Sequence, residues 1–360
     1  MRIIQVIADF GLAGAETMVE HLSCGLIAEG HDVLVISLFD LHTAITDRIE
    51  SRGIKIEYLG KKRGFDPSVI IKMRKIIKAY KPDIINTHRY VLPYVVMAAF
   101  RLNINLVHTV HNVAQKEQTN VGKHINKILF RFFDVLPIAL SKEVQKTIHE
   151  VYGLQTKKIP VIFNGIDLSK CIVKKNYNRN KNFSIIHVGR FMDVKNHALL
   201  IRCFAQFVKL HPDARLQLLG DGERREEMVK LAKELDIIDF VEFAGLQSNV
   251  YPWLNNADLF ILPSKFEGMP MTLIEAMGTG LPIIASDVGG IPDMLTSQKD
   301  ALLIEPNEKD ILKALEILYY DEGKRKELGK NALRKSVMFS AQTMAKKYID
   351  VYTKISEVRV

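Results

Sequence analysis

The sequence predicts an α/β protein built from two doubly wound parallel sheets that face each other across a cleft. Three observations support this prediction. The chain has 360 residues, more than a single hydrophobic core usually serves, so two domains are expected. Short apolar runs alternate with longer amphipathic segments, which is typical of parallel βαβ units. A polar, basic stretch, NGIDLSKCIVKKNYNRNKN, separates two sets of such runs.

Each set contains six strand candidates, and helical patterns fill the intervals between them. The first set is RIIQVIA, DVLVISLF, KIEYL, DIINTH, NLVHTVH and DVLPIAL. The second set is FSIIHVGR, RLQLLGDG, FVEFAG, DLFILPS, LPIIASDVGG and ALLIEP. These runs predict an N-terminal domain over residues 1–165, a linker over 166–182 and a C-terminal domain over 183–341. Ligands in such sheets bind beyond the carboxyl ends of the strands, so site residues are expected there.

Composition describes a globular protein without a membrane span. Apolar residues make up 48% and charged residues 25% of the chain. The longest apolar run, residues 91–100, is far shorter than the roughly 20 residues that span a bilayer. Asp9 interrupts the N-terminal apolar stretch, which favours a buried strand over a signal peptide. The three cysteines lack the paired spacing of metal sites and redox motifs, so we predict no chemical role for them. We therefore expect a cytoplasmic protein.

The net charge of +9 is concentrated in the N-terminal half. Residues 1–166 hold 22 Lys and Arg against 15 Asp and Glu, whereas residues 167–360 hold 28 against 26. The clearest concentration is GKKRGFDPSVIIKMRKIIKAYKPD, a helical pattern with Lys72, Lys75 and Lys78. These lysines indicate either a solvated helix face or attraction to an anionic membrane or a phosphate-bearing acceptor. No nucleic-acid-binding motif accompanies the charge.

Glycines follow the first strand in DFGLAGAETMVEHLSCGL. Gly11 and Gly14 allow the backbone to approach a ligand, and a helix that begins near Ala15 or Glu16 would offer free N–H groups to an anion. The spacing differs from the dinucleotide fingerprint, and a simple tight turn explains it equally well.

A loop with two cations follows the first strand of the second set. In VGRFMDVKNH, Arg190 and Lys195 lie at the carboxyl end of that strand. Both side chains could therefore neutralise a diphosphate leaving group in a cleft. Two cations in one loop are common, so the position is what favours this interpretation.

The stretch FEGMPMTLIEAM carries two glutamates eight residues apart. Pro270 is suited to a first helical turn, so we expect Glu267 in a loop and Glu275 in the second turn of a helix. The N–H groups of Met271, Thr272 and Leu273 would then bind phosphate. Glu267 would accept from sugar hydroxyls and Glu275 from a ribose. Alternatively, Glu267 caps the helix and Glu275 is a solvated charge.

Histidines end two strands of the first set. His88 lies in NTHRY and His111 in TVHNV. Either could donate a hydrogen bond in the cleft, although a single histidine at a strand end is more often structural.

Taken together, these motifs resemble a known enzyme family. VGRFMDVKNH, LGDGERREEM, DLFILPSKFEGMPMTLIEAMGTGLPIIASDVGGIPDML and the first-strand GLAGAE are similar to the retaining nucleotide-sugar transferases of glycosyltransferase family 4, which have the GT-B fold with two Rossmann-like domains. The likeness spans nearly the whole chain and is closest over residues 183–305. It implies that the last helix, residues 342–360, returns to the N-terminal domain.

The resemblance also assigns roles to individual residues. It implies that Arg190 and Lys195 hold the donor diphosphate, that Glu275 binds the ribose and that Glu267 faces the transferred sugar. His111 would contact the donor sugar or the acceptor. The implied catalytic residues are Glu267, Arg190, Lys195 and His111. The implied donor-binding set adds Gly11, Gly14, Gly268, Met269, Pro270, Met271, Thr272, Leu273 and Glu275. The base would lie near Leu246, Gln247 and Val250.

Two departures from the family pattern concern loop details only. The N-terminal loop reads Gly-Leu-Ala-Gly where adjacent glycines are frequent, and VKNH replaces a frequent Lys-Gly. The chain has no Asp-x-Asp triplet, which fits an enzyme that needs no metal or other cofactor, because cations and helix N-termini can stabilise the departing diphosphate.

The resulting hypothesis is a retaining transferase that moves a hexose or N-acetylhexosamine from a UDP or GDP sugar to an acceptor hydroxyl. The expected acceptor is a lipid-linked saccharide of capsule, exopolysaccharide or lipopolysaccharide synthesis, at the inner face of the plasma membrane. Three alternatives stay open. They are a nucleotide-sugar epimerase or hydrolase of the same fold, a non-catalytic nucleotide-sugar sensor or scaffold, and, least favoured, a dehydrogenase, which would need the missing glycine fingerprint.

Overall fold

The computed structural model describes residues 1–11, 14–117, 119–178 and 182–357. The chain forms two compact units. The first comprises Met1–Ile166 together with the chain from Phe339 onward, and the second comprises Asp167–Met338. Each unit has its own parallel sheet and its own hydrophobic core.

The first unit contains a six-stranded parallel sheet in the order β3-β2-β1-β4-β5-β6. Its strands are buried because helices cover both faces of the sheet, which matches their nearly continuous apolar sequences. Pro137 lies in β6, an edge strand, where a missing N–H costs little. The strands are β1 Arg2–Ile7, β2 Asp32–Ser37, β3 Lys55–Tyr58, β4 Ile84–His88, β5 Asn105–Val110 and β6 Val135–Ala139.

Among the described residues, six α-helices lie between these strands and a seventh follows β6. They are α1 Gly14–Ala28, α2 Ala44–Ser51, α3 Pro67–Tyr80, α4 Leu92–Ala99, α5 Ala114–Glu117, α6 Asn120–Phe132 and α7 Lys142–Tyr152. Side-chain caps fix several helix starts, among them Asp66 before α3, Thr119 before α6 and Ser141 before α7. Helices α3, α4, α6 and α7 share one core on one face of the sheet, and α1 and α2 share another.

The second unit repeats the architecture in the order β12-β11-β10-β7-β8-β9. Its strands are β7 Phe183–Val188, β8 Ala214–Leu219, β9 Val241–Gly245, β10 Leu259–Leu262, β11 Ile283–Ser286 and β12 Leu302–Ile304. Its helices are α8 His197–Leu210, α9 Arg225–Glu234, α10 Tyr251–Asn256, α11 Met271–Thr279, α12 Ile291–Met294, α13 Glu308–Tyr320 and α14 Glu322–Ser336. The twelve predicted strands are all present, which confirms the predicted fold class.

The last helix, α15 (Ala341–Glu357), packs on the first unit. Tyr348 and Tyr352 are completely buried in its core. Gly25 of α1 faces α15 so closely that a Cβ there would lie 2.8 Å from the Cβ of Ala345. Glycine therefore permits the close approach of the two helices. Of the predicted helix 342–360, residues 358–360 lie outside the described residues.

The segment predicted as a linker packs on the second unit. Lys174 donates its backbone N–H to the carbonyl of Thr279 and its Nζ to the carbonyl of Ala257. The hydroxyl of Tyr177 donates to the carbonyl of Gly280 at 2.8 Å. The second unit thus begins at Asp167 rather than at 183, because side chains that read as polar and basic satisfy its buried carbonyls. Residues 179–181 of the predicted linker lie outside the described part.

Candidate functional site

The strand order of each sheet reverses direction at one point, which marks where ligands bind in open α/β sheets. In the first sheet that point lies between β1 and β4, and in the second it lies between β7 and β10. The loops after β7 and β10 touch each other. The N–H of Lys265 donates to the carbonyl of Val194 at 2.8 Å, and Nδ2 of Asn196 donates to the carbonyl of Pro263 at 3.2 Å.

These two loops bring Lys195 and Glu267 into an ion pair. Nζ of Lys195 lies 2.6 Å from Oε1 of Glu267, and the hydroxyl of Ser264 donates to the same oxygen at 2.6 Å. Glu267 is only 8% exposed. The aliphatic stem of Lys195 lies over Gly189, where a Cβ would sit 3.4 Å from its Cδ. Glu267 is therefore held by Lys195 and Ser264, and it does not cap α11.

Arg190 lies on the same loop with its side chain exposed to solvent. Within the described residues its guanidinium has no hydrogen-bond or ion-pair partner, so its five donors are available to an anion. Asp193 joins the loop to its neighbours, since Arg224 and Lys265 each approach its carboxylate to 2.8 Å. The hydrogen bond from Lys265 is the main reason that the pKa of Asp193 is lowered.

A neutral aromatic layer lies beneath this loop. His197 stacks on Phe191 with ring centroids 4.1 Å apart and meets His187 edge to face. Burial lowers the pKa of His187 to about 4 and that of His197 to about 2. Nδ1 of His187 must donate to the carbonyl of Ile261, 2.9 Å away, because a carbonyl can only accept. The layer thus supports the loop without adding charge to it.

The first turn of α11 opens beside Glu267. Pro270 is the N-cap of α11, and Met271 is its first helical residue. The helix therefore begins one residue later than predicted, because Pro270 was expected inside the first turn. The N–H of Leu273 donates to the carbonyl of Pro270 at 3.2 Å, so the prediction that Leu273 offers a free donor is wrong. The first turn closes on itself, which leaves the N–H groups of Met271 and Thr272 at the helix start. Oγ1 of Thr272 is buried without a hydrogen-bond partner among the described residues.

Glu275 lies in the second turn of α11, as predicted, but it is not a solvated charge. Its side chain is partly buried near Lys170 and Cys171. Burial raises the pKa of Glu275 to about 7, and Lys170 opposes this shift only weakly. A ligand that donates hydrogen bonds to this carboxylate would favour its ionised form.

We expect the affinity for a nucleoside diphosphate to rise about tenfold between pH 6 and pH 8 through Glu275. A ribose would bind the ionised carboxylate, whereas near pH 6 the group is mostly protonated in the free protein. The measurement is a calorimetric titration at several pH values. Because the phosphates also titrate, Glu275→Gln is the control, and equal pH profiles of the variant and the wild type would contradict the prediction. Without ligand, ionisation costs folding free energy, so wild-type stability should fall relative to this variant as pH rises from about 4.5 to 7.

The predicted base region follows β9, at the edge of the second sheet. Leu246 is exposed, and Val250 lies immediately before α10. The side chain of Gln247 donates to the carbonyl of Ala244 at 2.6 Å and so holds the turn together. Ser248 and Asn249 are also exposed on this loop, so it offers both apolar and polar groups to solvent.

In the first unit, the carboxylate of Asp9 accepts a hydrogen bond at the start of the predicted glycine turn. Oδ1 of Asp9 accepts the N–H of Gly11 at 3.1 Å, and α1 starts at Gly14, earlier than Ala15 or Glu16. Residues 12 and 13 lie outside the described residues. Glu16 is buried and pairs with Arg89, which follows β4 in a left-handed conformation with φ of 63°. Burial raises the pKa of Glu16, and Arg89 opposes that shift. Neither residue was predicted to belong to the site, although Arg89 stands in NTHRY.

The two candidate histidines contact each other, with 2.9 Å between Nδ1 of His88 and Nε2 of His111. His88 is fully buried, and its Nε2 lies 2.8 Å from Oε1 of Gln5. Oε1 of Gln5 also accepts from Asn86 and cannot donate, so Nε2 of His88 carries its proton. His111 must then donate from Nε2 to His88.

This arrangement changes the role predicted for the histidines. His88 cannot reach a ligand and acts only through His111. Burial lowers the pKa of His111 to about 3, so its ring is neutral and its Nδ1 is an acceptor rather than a donor. His111 is thus suited to accept a hydrogen bond from a hydroxyl group. No sequence pattern indicated Gln5, which lies inside a buried strand.

Two features are absent from the described part of the chain. No helix in that part is both long and apolar enough to cross a membrane. No group of three or more His, Cys, Asp or Glu side chains there could hold a metal ion.

Comparisons with known proteins agree with this architecture. The family model for Glycosyltransferase Family 4 matches residues 12–170, and that for Glycosyl transferases group 1 matches residues 170–335. HepE of Anabaena, solved in complex with UDP-glucose, superposes with a TM-score of 0.86 at 20% identity, covering 98% of this chain and 100% of that one.

Two relatives act on lipid-linked saccharides by name. One is the N-acetylgalactosamine-N,N'-diacetylbacillosaminyl-diphospho-undecaprenol 4-alpha-N-acetylgalactosaminyltransferase of Campylobacter jejuni, 28% identical over 251 residues, covering 68% of each chain. The other is the UDP-Gal:alpha-D-GlcNAc-diphosphoundecaprenol alpha-1,3-galactosyltransferase of Escherichia coli, 28% identical over 267 residues, also covering 68% of each chain.

Proposed function

The chain belongs to glycosyltransferase family 4 and has the GT-B fold, and on that premise we propose that it transfers a hexose or N-acetylhexosamine from a UDP or GDP sugar to an acceptor hydroxyl with retention of the anomeric configuration. The observation that carries this proposal is the Lys195–Glu267 pair at the point where the strand order of the second sheet reverses. This pair places a cation and a hydrogen-bond acceptor beside the first turn of α11, where the N–H groups of Met271 and Thr272 lie.

Each group of this site fits one part of a nucleotide sugar. Arg190 and Lys195 would contact the diphosphate, and the N–H groups of Met271 and Thr272 would add the positive end of α11. The buried hydroxyl of Thr272 would gain a partner there. Glu267 would accept from sugar hydroxyls and Glu275 from the ribose. Charge that develops on the departing diphosphate is then stabilised by fixed donors, without a metal or other cofactor.

Retention is proposed to proceed by departure and attack on the same face of the sugar. The bond between the anomeric carbon and the diphosphate oxygen breaks, and the acceptor oxygen bonds to that carbon. The acceptor proton passes to the departing phosphate oxygen. Glu267 is committed to Lys195 and Ser264, so it is better suited to hold the sugar than to form a covalent intermediate.

The proposed acceptor is a lipid-linked saccharide of capsule, exopolysaccharide or lipopolysaccharide synthesis. Support comes from the named activities of the Campylobacter and Escherichia relatives and from the excess positive charge of residues 1–166. The proposed location is the cytoplasm, with peripheral association at the inner face of the plasma membrane.

The donor half of this proposal is tested by thermal unfolding with nucleoside diphosphates and nucleotide sugars. A matching ligand at about 100 times its Kd should stabilise the protein by about 2.7 kcal/mol, since only the folded state binds it. Arg190→Ala should reduce this shift, whereas NAD should produce none. The absence of a shift with every UDP and GDP compound would overturn the donor site.

Product analysis then separates the remaining alternatives. Transfer to an added acceptor supports the transferase, whereas free sugar or an isomerised donor would support a hydrolase or an epimerase. Nucleotide-sugar binding without any product would support a sensor or scaffold.

A further inference from the structure

Helix α6 exposes a stripe of large apolar side chains. Val121 and Phe132 are each 71% exposed and Ile128 is 52% exposed, and Ile125 lies between them. Nineteen large apolar side chains are exposed among the described residues, and seven of these fall between residues 97 and 133. This concentration exceeds the scattered apolar exposure that is normal for a protein surface.

The stripe is a second apolar face of α6, separate from the one that packs on the core. Residues 121, 125, 128 and 132 repeat at helical spacing and occupy an arc of about 60° at 100° per residue. The buried residues Asn126, Leu129 and Phe130 occupy a different arc. Because the core already has its own contact with α6, the stripe is not needed for folding.

Cations lie beside the stripe. Lys127 and Arg131 are exposed one helical turn apart, and the sequence has no acidic residue from 120 to 133. The guanidinium of Arg131 lies 5.9 Å from the ring centroid of Phe132. Long basic side chains next to apolar ones can keep their charges at headgroup level while the stems and rings enter the apolar layer.

The neighbouring end of α4 extends the same surface. Met97 and Phe100 are exposed there, and the guanidinium of Arg101 lies 5.3 Å from the ring centroid of Phe100. A groove between α4 and α6 is lined in part by Phe100, Arg101 and Phe133. We call this surface the α4–α6 face and define it by its exposed apolar and basic side chains: Met97, Phe100, Arg101, Val121, Ile125, Lys127, Ile128, Arg131 and Phe132.

We infer that the α4–α6 face docks on an anionic lipid bilayer, with its apolar side chains in the interface between headgroups and acyl chains. Charge complementarity selects this occupant, because the exposed Arg101, Lys127 and Arg131 outnumber Asp134, which lines the groove, and match lipid phosphates over a wide, unspecific surface. Docking on the bilayer would bring the protein to the membrane that holds the proposed lipid-linked acceptor. Only this biological role rests on the proposed function.

The inference also moves the membrane contact away from α3, where the sequence analysis placed the relevant charge. On α3, Nζ of Lys72 donates to the carbonyl of Leu59, and Arg74 donates to the carbonyls of Ala98 and Phe100 at the end of α4. Ile71 is the one large exposed apolar residue within α3 among the described residues. Helix α3 can add long-range attraction but lacks an insertable stripe.

The test is co-sedimentation of the full chain with vesicles of phosphatidylglycerol and phosphatidylcholine, compared with vesicles of phosphatidylcholine alone. We expect binding to the anionic vesicles only. The double variant Ile128→Ser with Phe132→Ser should reduce the partition coefficient at least tenfold. Lys127→Ser with Arg131→Ser should reduce it by about twentyfold at low salt and flatten its salt dependence.

Leu210→Ser with Tyr320→Ser is the matched control, because these second-unit side chains are 74% and 71% exposed. This control should bind vesicles like the wild type. Loss of binding in the control as well, or binding that survives both α6 variants, would overturn the inference. Sedimentation velocity without vesicles tests the alternative that a second copy of the chain covers this face. Self-association that the α6 variants abolish, together with no vesicle binding, would assign the face to that second copy.

Unfolding temperature and nucleoside diphosphate binding are measured for every variant. The α6 variants should keep both, because none of the candidate donor residues lies on α6. Vesicle binding without nucleotide binding would leave this inference standing and remove the proposed donor site. Nucleotide binding without vesicle binding would do the reverse.

Discussion

Lys195→Ala is expected to lower kcat by about 10³-fold or more. The substitution removes the one cation that the structure places against Glu267, at the proposed position of the departing diphosphate. It also leaves the buried carboxylate of Glu267 without its counter-ion, which should cost about 3 kcal/mol of folding free energy. Initial rates of sugar transfer and urea unfolding measure the two effects separately.

The matched control for this variant is Lys265→Ala. Lys265 also contacts a carboxylate on the neighbouring loop, but its side chain is half exposed and its partner Asp193 is on the surface. Such a surface pair contributes little, so the control should change kcat by less than about threefold. Near-normal turnover in Lys195→Ala, with the protein folded, would remove Lys195 from the proposed chemistry.

Glu267→Gln should reduce kcat by about 10² to 10³ while the protein stays folded. The amide has nearly the shape of the carboxylate but cannot form the ion pair with Lys195. Lys195 would then lose its fixed position, and the sugar would lose a charged acceptor. Ser264→Ala removes one hydrogen bond to the same oxygen and leaves the pair, so its loss should be about tenfold.

A double variant shows whether Lys195 and Glu267 act as one unit. If they do, Lys195→Ala with Glu267→Gln should be hardly slower than Lys195→Ala alone, because the second change removes an interaction that is already lost. Losses that multiply would show that the two residues contribute independently. Wild-type turnover in Glu267→Gln would contradict the role assigned to the pair.

The fold could be predicted because its signal is local and repeated. Most of the twelve strands are short apolar runs that are buried on both faces of their sheet, so the pattern that stabilises the strand is visible in consecutive residues, and the edge strands β3 and β9 are partly exposed. Glu267 and Glu275 were assigned correctly to loop and helix for a similar reason, since Pro270 acts on its immediate neighbours.

The contacts inside the site could not be predicted, because they join residues far apart in sequence. The Lys195–Glu267 pair spans 72 residues, and the contact between Gln5 and His88 spans 83. Periodicity carries no information on such pairs. The exposed stripe of α6 was also missed, since an apolar side chain that faces solvent looks in sequence like one that faces the core.

The position of α15 has a consequence for the order in which the chain folds during synthesis. Residues 167–338 are contiguous, so the second unit can complete its core soon after they leave the ribosome. The first unit is made earlier but lacks Tyr348 and Tyr352, which fill the space against α1. The core formed by its first 166 residues therefore stays incompletely packed until α15 has been translated. The first unit is therefore synthesised first but completes its core after the second unit.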